Sequence, residues 1–442
     1  MKCEVTAMEP KRFDAAVVGG GLAGLSAAAY LAKAGLSVLL LEKAARLGGR
    51  AATSSKYGAY LNAGVHAFYQ GGEGEAALRE LGVRLQGANP PASAAAIWNG
   101  GVYPMPADPF RLFASKLFSW EGKLELARLM ATLGRLDPSS IGATTLREWA
   151  ERNIREPMVR NVVYAICRAN TFAPHPERQH AGLAVRQLQR TFRGKAFYPD
   201  YGWESIVRAL ERQAVEAGVG IVTDARVREI VRDADRFRLS VAHAGSALPP
   251  IEADAVLLAC EPAEALRLVR GAERTPLAAW VGELRPIRAA CLDVVLRRLT
   301  EPKRSFVAGF FLDAPLFYNN PTKVAKVAEH DAVVVHMIKH LGEAEGDAAD
   351  DLIELERALD LLQPGWRAVE TGRQYLPRMV VAYDYGTLPS VGARRGPRVP
   401  GMDGLFVAGD WAGGEHLLAD AALASAKTAA QAIVQRRVLA RN

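Results

Sequence analysis

The 442-residue sequence has only four cysteines, Cys3, Cys167, Cys260 and Cys291. No two stand in a CxxC spacing, so neither a disulfide scaffold nor a cysteine-based zinc site is expected, and no metal centre is anticipated. Buried free thiols are the expectation instead. No dense run of Lys and Arg occurs either. The formal net charge of +7 comes from scattered residues. It describes a solvated basic surface and gives no reason to expect nucleic acid as a partner. The opening MKCEVTAMEPKRF lacks the apolar core of a signal peptide, which points to a cytoplasmic protein. Residues 15–32 are uncharged and about as long as a membrane span, but four glycines interrupt them and Lys33 follows. No transmembrane segment is expected. No internal repeat or low-complexity tract is present.

What is there is apolar material in quantity. Half of the residues are hydrophobic, enough for large packed cores in two or three domains. Asp14–Val18 has the composition of a buried strand. Leu22–Ala34 reads as an Ala/Leu-rich helix that ends at Gly35. Ser37–Leu41 is a second strand, apolar on both faces as a parallel strand is. Beyond Asn89 prolines punctuate a loop-rich passage, and helical patterns follow over Trp120–Leu136 and Leu146–Ala169. Further on, a helix is predicted over Ser205–Ala217. Strands are predicted at Gly220–Thr223, Val227–Arg232, Phe237–Ala242, Asp254–Ala259 and Gly404–Val407. A terminal helix starts near Leu418. This alternation implies interleaving: 10–90, 195–268 and 372–442 build a nucleotide-binding domain, and 91–194 with 269–371 build a second, substrate domain.

The central motif is VVGGGLAGL, in which Gly19, Gly21 and Gly24 satisfy GxGxxG between a strand and a helix. The first glycine allows the tight turn, the second lets backbone approach a pyrophosphate, and the third lets helix and strand pack closely. Leu22 and Ala23 open the helix, whose first N–H groups and positive dipole end face the phosphates. Glu42 ends the second strand about twenty residues on, where a carboxylate accepts from ribose hydroxyls. It also disfavours a 2′-phosphate, and hence NADP.

The residues that follow narrow the nucleotide. The run LEKAARLGGRAAT, containing Lys43, Gly49 and Arg50, resembles the GGR extension of the flavoprotein superfamily of amine oxidases and phytoene desaturases. The resemblance continues through LNAGVHAFY, with Gly64, Val65 and His66 where that family's backbone passes the flavin ring. It extends to YPDYGW and to Val227, which matches the apolar residue packed on adenine. It ends in GLFVAGDWAGGEHLLADAALASAKTAA, where Gly409, Asp410 and Leu418 match the C-terminal flavin motif. The resemblance implies an α/β fold, with a Rossmann-like FAD-binding domain of glutathione-reductase type interleaved with a mixed α+β substrate domain. It also implies non-covalently bound FAD. Arg50 would lie near the pyrophosphate and flavin, and Asp410 near ribityl or pyrophosphate oxygens.

Many amine oxidases of that superfamily carry a lysine on the strand that corresponds to RAACLDVVLRR, and here that strand has none. The departure shifts the expectation toward the desaturase-like branch. That reading is FAD-dependent removal of a hydride from a C–H bond of a hydrophobic small molecule. The alternatives are amine oxidation, a flavin-dependent isomerisation without net redox change, and FAD binding without catalysis. Catalytic residues are not fixed by any motif. His66, Tyr198, Trp203, His336 and His416 are candidates, the last two together with Lys339 and Glu415 as possible cavity-facing groups. The segment FRLFASKLFSW, Phe110–Trp120, gathers its apolar residues on one broad helical face. Such a face either packs inward or makes peripheral contact with a membrane.

Overall fold

The computed structural model describes residues 11–106, 108–193, 195–342, 346–388 and 395–441. Its first sheet runs, from one edge, through Gly220–Val222, Val38–Leu41, Lys11–Val18, Ile251–Leu258, Arg236–His243 and Ala225–Asp233. Leu405–Val407 pairs in parallel with Ile251–Leu258. The strands around Lys11–Val18 are parallel and fully buried at their C-terminal halves, as continuous Val/Leu runs covered on both faces must be. Helix Leu22–Lys33 covers one face, and Glu204–Glu216 and the terminal helix Leu418–Arg441 pack on it. Alanines at 27, 28, 29, 426, 429 and 430 are buried there. Their small side chains let the helix axes approach.

The second sheet has the order Glu370–Ala382, Ile287–Leu296, Val333–Leu341, Leu316–Asn319, Ala308–Phe311, Ala94–Trp98, Gly101–Pro104. Helix Ala348–Leu362 covers one face of it. Helices Pro157–Thr171 and Ala181–Phe192 lie on the other side, in a core that Ala289, Cys291, Phe310 and Ile338 share. The strand Glu370–Ala382 belongs to this sheet, so residue 372 falls inside a strand of the second sheet rather than at its border.

Two local expectations are corrected. Leu146–Ala169 is not one helix but two, Leu146–Asn153 and Pro157–Thr171. Pro157 cannot supply the N–H of a continuing helix and instead starts a new one at its first position. Phe110–Trp120 is likewise not one helix. A short helix, Pro109–Ala114, is capped by Asp108, and a second, Trp120–Leu133, is capped by Ser119. The break divides the apolar side chains. Leu112, Leu117 and Phe118 are buried, whereas Phe110 is 82% and Trp120 61% exposed. Among the described residues no helix is long and apolar enough to cross a membrane.

Candidate active site

A cavity of about 590 Å³, within the range of cofactor and ligand sites, runs between the two sheets. One end is walled by Leu41, Glu42 and Lys43, at the carboxyl end of Val38–Leu41, and by Arg226 and Val227, at the start of Ala225–Asp233. Its middle passes Gly19, Gly21, Leu22, Ala23, Gly49 and Arg50, then Val65, His66, Gly409, Asp410 and Leu418. The far part is walled by residues of the second sheet and its helices, among them Met105, Met130, Ile166, Phe192, Phe310 and Phe317.

The glycine turn has no room for side chains at Gly19 and Gly24. Gly19 holds φ +109°, and a Cβ on it would stand 2.6 Å from the Ala259 carbonyl oxygen. On Gly24 a Cβ would stand 1.8 Å from the Gly19 oxygen, so Gly24 sits behind the wall and sets the helix against the turn. Gly21 caps the helix without any side-chain hydrogen bond, which leaves first-turn N–H groups for a ligand. Glu42 is buried. Its Oε2 accepts from Gly20 N at 2.6 Å and its Oε1 from Ala44 N at 2.8 Å. A carboxylate offers about four lone-pair sites, so acceptor capacity remains on each oxygen.

Arg50 and Asp410, expected to serve a ligand separately, are bound to each other. The guanidinium meets the carboxylate in a two-pronged pair at 2.7 and 2.6 Å, and Nη1 also donates to the Val381 carbonyl at 3.1 Å. Asp410 further accepts from Tyr383 N at 3.0 Å. Of the five N–H donors of Arg50, one on Nη2 and the one on Nε remain. Its side chain is 44% accessible, against 3% for Asp410. The carboxylate therefore aims the arginine, and the arginine faces the cavity.

The candidate catalytic groups separate into two sets. His66, Tyr198 and Trp203 line the cavity. His66 packs edge-on to Trp203 at 5.1 Å, and its Nδ1 donates to the Gly64 carbonyl at 3.0 Å; a carbonyl only accepts, so Nδ1 carries the proton. Burial holds the imidazole below its ordinary value, which keeps it neutral at neutral pH. Burial pushes Tyr198 up to about 12, against the opposing hydrogen bond from Asn319. Neither is an ionised base near pH 7.

His336, His416, Glu415 and Lys339 are not in the wall. Lys339 pairs with Asp351 and Glu354 on the covering helix. His416 lies 3.5 Å from Asp420. His336 meets Asp293 at 2.5 Å, inside the second sheet. Asp293 is wholly buried and also accepts from the Cys291 thiol at 3.0 Å and from Gln374 Nε2 at 3.0 Å. Gln374 Nε2 in turn lies 3.2 Å from the Asn62 carbonyl, at the start of the 62–66 loop that carries His66. Burial, then the neighbouring carboxylate, push the Cys291 thiol well up. The Cys291, Asp293 and His336 atoms are close enough to ligate an ion. In this structure the three groups instead satisfy one another, the thiol and the imidazole both bonding to the carboxylate.

Tyr69, Asn170, Gln187, Thr191, Tyr383 and Asp420 also line the cavity, and none was singled out from sequence. They come from five separate segments, with only Gln187 and Thr191 sharing a helix, so the fold brings them together.

Residues 22–288 match the family described as flavin containing amine oxidoreductase. All-trans-retinol 13,14-reductase from Homo sapiens is 46% identical over 57 residues, which cover 13% of this chain and 9% of that protein. Carotenoid 3,4-desaturase from Haloarcula japonica is 68% identical over 38 residues, covering 9% of this chain and 8% of that one. These curated relatives are thus matched over about a tenth of their length. Among solved structures, an oxidoreductase from Methanosarcina mazei superposes with a TM-score of 0.74 at 19% identity, over 94% of this chain and 99% of that one. The fold is thus shared almost end to end with that structure, and the family match over residues 22–288, more than half of the chain, makes this chain a member of the flavin-containing amine oxidoreductase family and an FAD-dependent oxidoreductase.

Proposed function

We propose that the protein removes a hydride from a C–H bond of a neutral, hydrophobic small molecule, as a desaturase or dehydrogenase does. The observation that carries this is the distribution of charge in the cavity wall. The charged lining residues are Glu42, Lys43, Arg50, Arg226, Glu261, Glu264, Asp410 and Asp420. All belong to the first-sheet half or to the terminal helix packed on it. Among the described residues, the wall contributed by 90–198 and 307–381 holds no carboxylate and no cation. An ammonium substrate entering there would lose its hydration without gaining a counter-charge, which is costly. An apolar substrate would lose nothing.

In this reading residues 10–90 and 195–268, with the chain that follows the strand Glu370–Ala382, form the domain that holds FAD, and 91–194 with 269–382 form the substrate domain. The adenine would lie by Val227 and its ribose on Glu42. The pyrophosphate would lie over Gly19, Gly21 and the N-terminus of Leu22–Lys33, within reach of the free N–H groups of Arg50. Lys43 and Gly49 would flank this half, and Gly64, Val65, His66, Gly409 and Leu418 the flavin. Bound FAD supplies the two-electron chemistry by accepting the hydride. This chain's residues orient the substrate and exclude water. Neutral His66 and protonated Tyr198 serve that orientation rather than proton abstraction.

Anaerobic mixing of the FAD-loaded protein with a panel of polyenes and a panel of primary and secondary amines tests the reading. Polyenes are expected to bleach the flavin absorbance and amines to leave it unchanged. Bleaching by amines would overturn the preference, and turnover of a polyene without bleaching would make the reaction an isomerisation.

The same reading includes peripheral membrane contact at the cavity mouth. Met130, which lines the cavity and is itself exposed, lies ten residues along its helix from exposed Trp120, about 15 Å, and Phe110, Phe113 and Leu124 are also exposed. Co-sedimentation with phosphatidylcholine vesicles is expected, and the double variant Phe110→Ser, Trp120→Ser should lose it. Equal sedimentation of both proteins, or none of either, sinks this point.

A further inference from the structure

One strip of the otherwise apolar far wall is polar, and its hydrogen bonds are incomplete in one direction. The Tyr69 hydroxyl donates to Asn170 Oδ1 at 3.0 Å, and Asn170 Nδ2 donates to Thr191 Oγ1 at 2.7 Å. Thr191 Oγ1 donates to the Gln187 carbonyl at 3.2 Å, and Arg190 Nη1 donates to Gln187 Oε1 at 3.2 Å. Arg190 then pairs with Asp420 at 3.1 Å, whose other oxygen accepts from Gly74 N at 2.6 Å. Arg190 is outside the wall and Asp420 belongs to the terminal-helix side, so the charges at the end of the strip lie beside the far wall and are already matched. Burial pushes the Tyr69 hydroxyl up, so it stays a protonated donor and fixes the direction of the chain.

Donors are left over. Gln187 is 3% exposed and lines the cavity. Its Oε1 is used, but its Nε2 makes no hydrogen bond to the described residues. Asn170, 6% exposed, has a second Nδ2 hydrogen in the same position. Buried amide N–H groups aimed into a cavity require an acceptor. With the local charge neutralised, a neutral acceptor fits better than an anion, which would have to be desolvated against amides alone.

We infer that Gln187 and Asn170 form a specificity subsite for a carbonyl oxygen, so that the substrate is an apolar molecule bearing a ketone, aldehyde or similar neutral acceptor. This rests on the reading of the cavity as a site for a hydrophobic substrate. The subsite would fix which C–H bond faces the flavin, because the oxygen anchors one point of a body that otherwise has only shape to hold it.

The test uses FAD-loaded protein and two probes of nearly equal shape, benzylacetone and butylbenzene, titrated against the absorbance of the bound flavin. The comparison is the ratio of their two dissociation constants in the parent protein and in Gln187→Met. Forming this double difference removes their unequal hydrophobicity. The variant is expected to shift the ratio about tenfold toward the hydrocarbon, with FAD retained. Asn170→Leu should move the ratio in the same direction, and serves if Gln187→Met fails to fold. An unchanged ratio overturns the subsite. So does loss of FAD from folded Gln187→Met, which would assign the amide to the cofactor. If neither probe perturbs the flavin of the parent protein, the hydrophobic-substrate reading fails first and the subsite with it.

Discussion

Glu42→Ala should yield folded protein that purifies with little or no FAD. Two effects combine at this residue. The carboxylate would accept from the adenosine ribose hydroxyls, and hydrogen bonds to a charged acceptor are each worth about 1.5–3 kcal/mol. Two of them correspond to a loss of roughly two to four orders of magnitude in affinity. The same carboxylate also ties Gly20 N and Ala44 N from either side. Alanine removes the brace that fixes the glycine turn beside the phosphates, leaving both N–H groups to find water. Glu42→Gln separates the contributions only partly, since its amide nitrogen would face one of those N–H groups as a second donor. The measurement is titration of apoprotein with FAD, followed by quenching of flavin fluorescence. Retention equal to the parent protein would mean that the ribose is not at Glu42.

The turn, its helix and Glu42 were legible in the sequence because their chemistry is local. A glycine with φ +109°, on which a Cβ would stand 2.6 Å from a neighbouring carbonyl oxygen, permits no other residue, and the strand and helix on either side carry their own periodicity. The flavoprotein family was legible for the same reason, since each of its motifs is a short run. What was not legible depends on partners far apart in the chain. Arg50 and Asp410 are separated by 360 positions, and each was assigned to a ligand. The structure also makes one the support of the other. His336 looked like a cavity-facing residue because its strand alternates, but alternation does not say which face meets the cavity. Here that position is opposite Asp293 in the ladder. The polar strip from Tyr69 to Asp420 was invisible, since Asn, Gln and Thr on amphipathic helices read as ordinary solvent-facing residues until the packing buries them.

Asp293→Ala should lower thermal stability more than removal of an ordinary core side chain, and should disturb the flavin even though Asp293 is not in the cavity wall. Three donors converge on this carboxylate: His336, Cys291 and Gln374. All three side chains come from adjacent strands of one sheet, and Asp293 itself has no exposed surface. Truncation strands those donors in a dry interior. Breaking a buried pair of this kind costs about 3–5 kcal/mol, and in a chain of this size the midpoint should fall on the order of 5 °C. The functional consequence runs through Gln374, which lies between Asp293 and the Asn62 carbonyl. The Asn62 side chain accepts from Trp203 N and from the Thr53 hydroxyl, and Trp203 packs on His66. Releasing Gln374 therefore loosens the loop that carries Val65 and His66 along the cavity. A merely structural loss would lower the melting temperature and leave the visible spectrum of the bound flavin unchanged. A loss of positioning would shift that spectrum and raise KM for substrate at temperatures where the variant is fully folded. Asp293→Asn keeps the shape and one acceptor oxygen, so it should recover part of both effects. An Asp293→Ala protein with the parent's melting temperature and flavin spectrum would show that the buried carboxylate does neither.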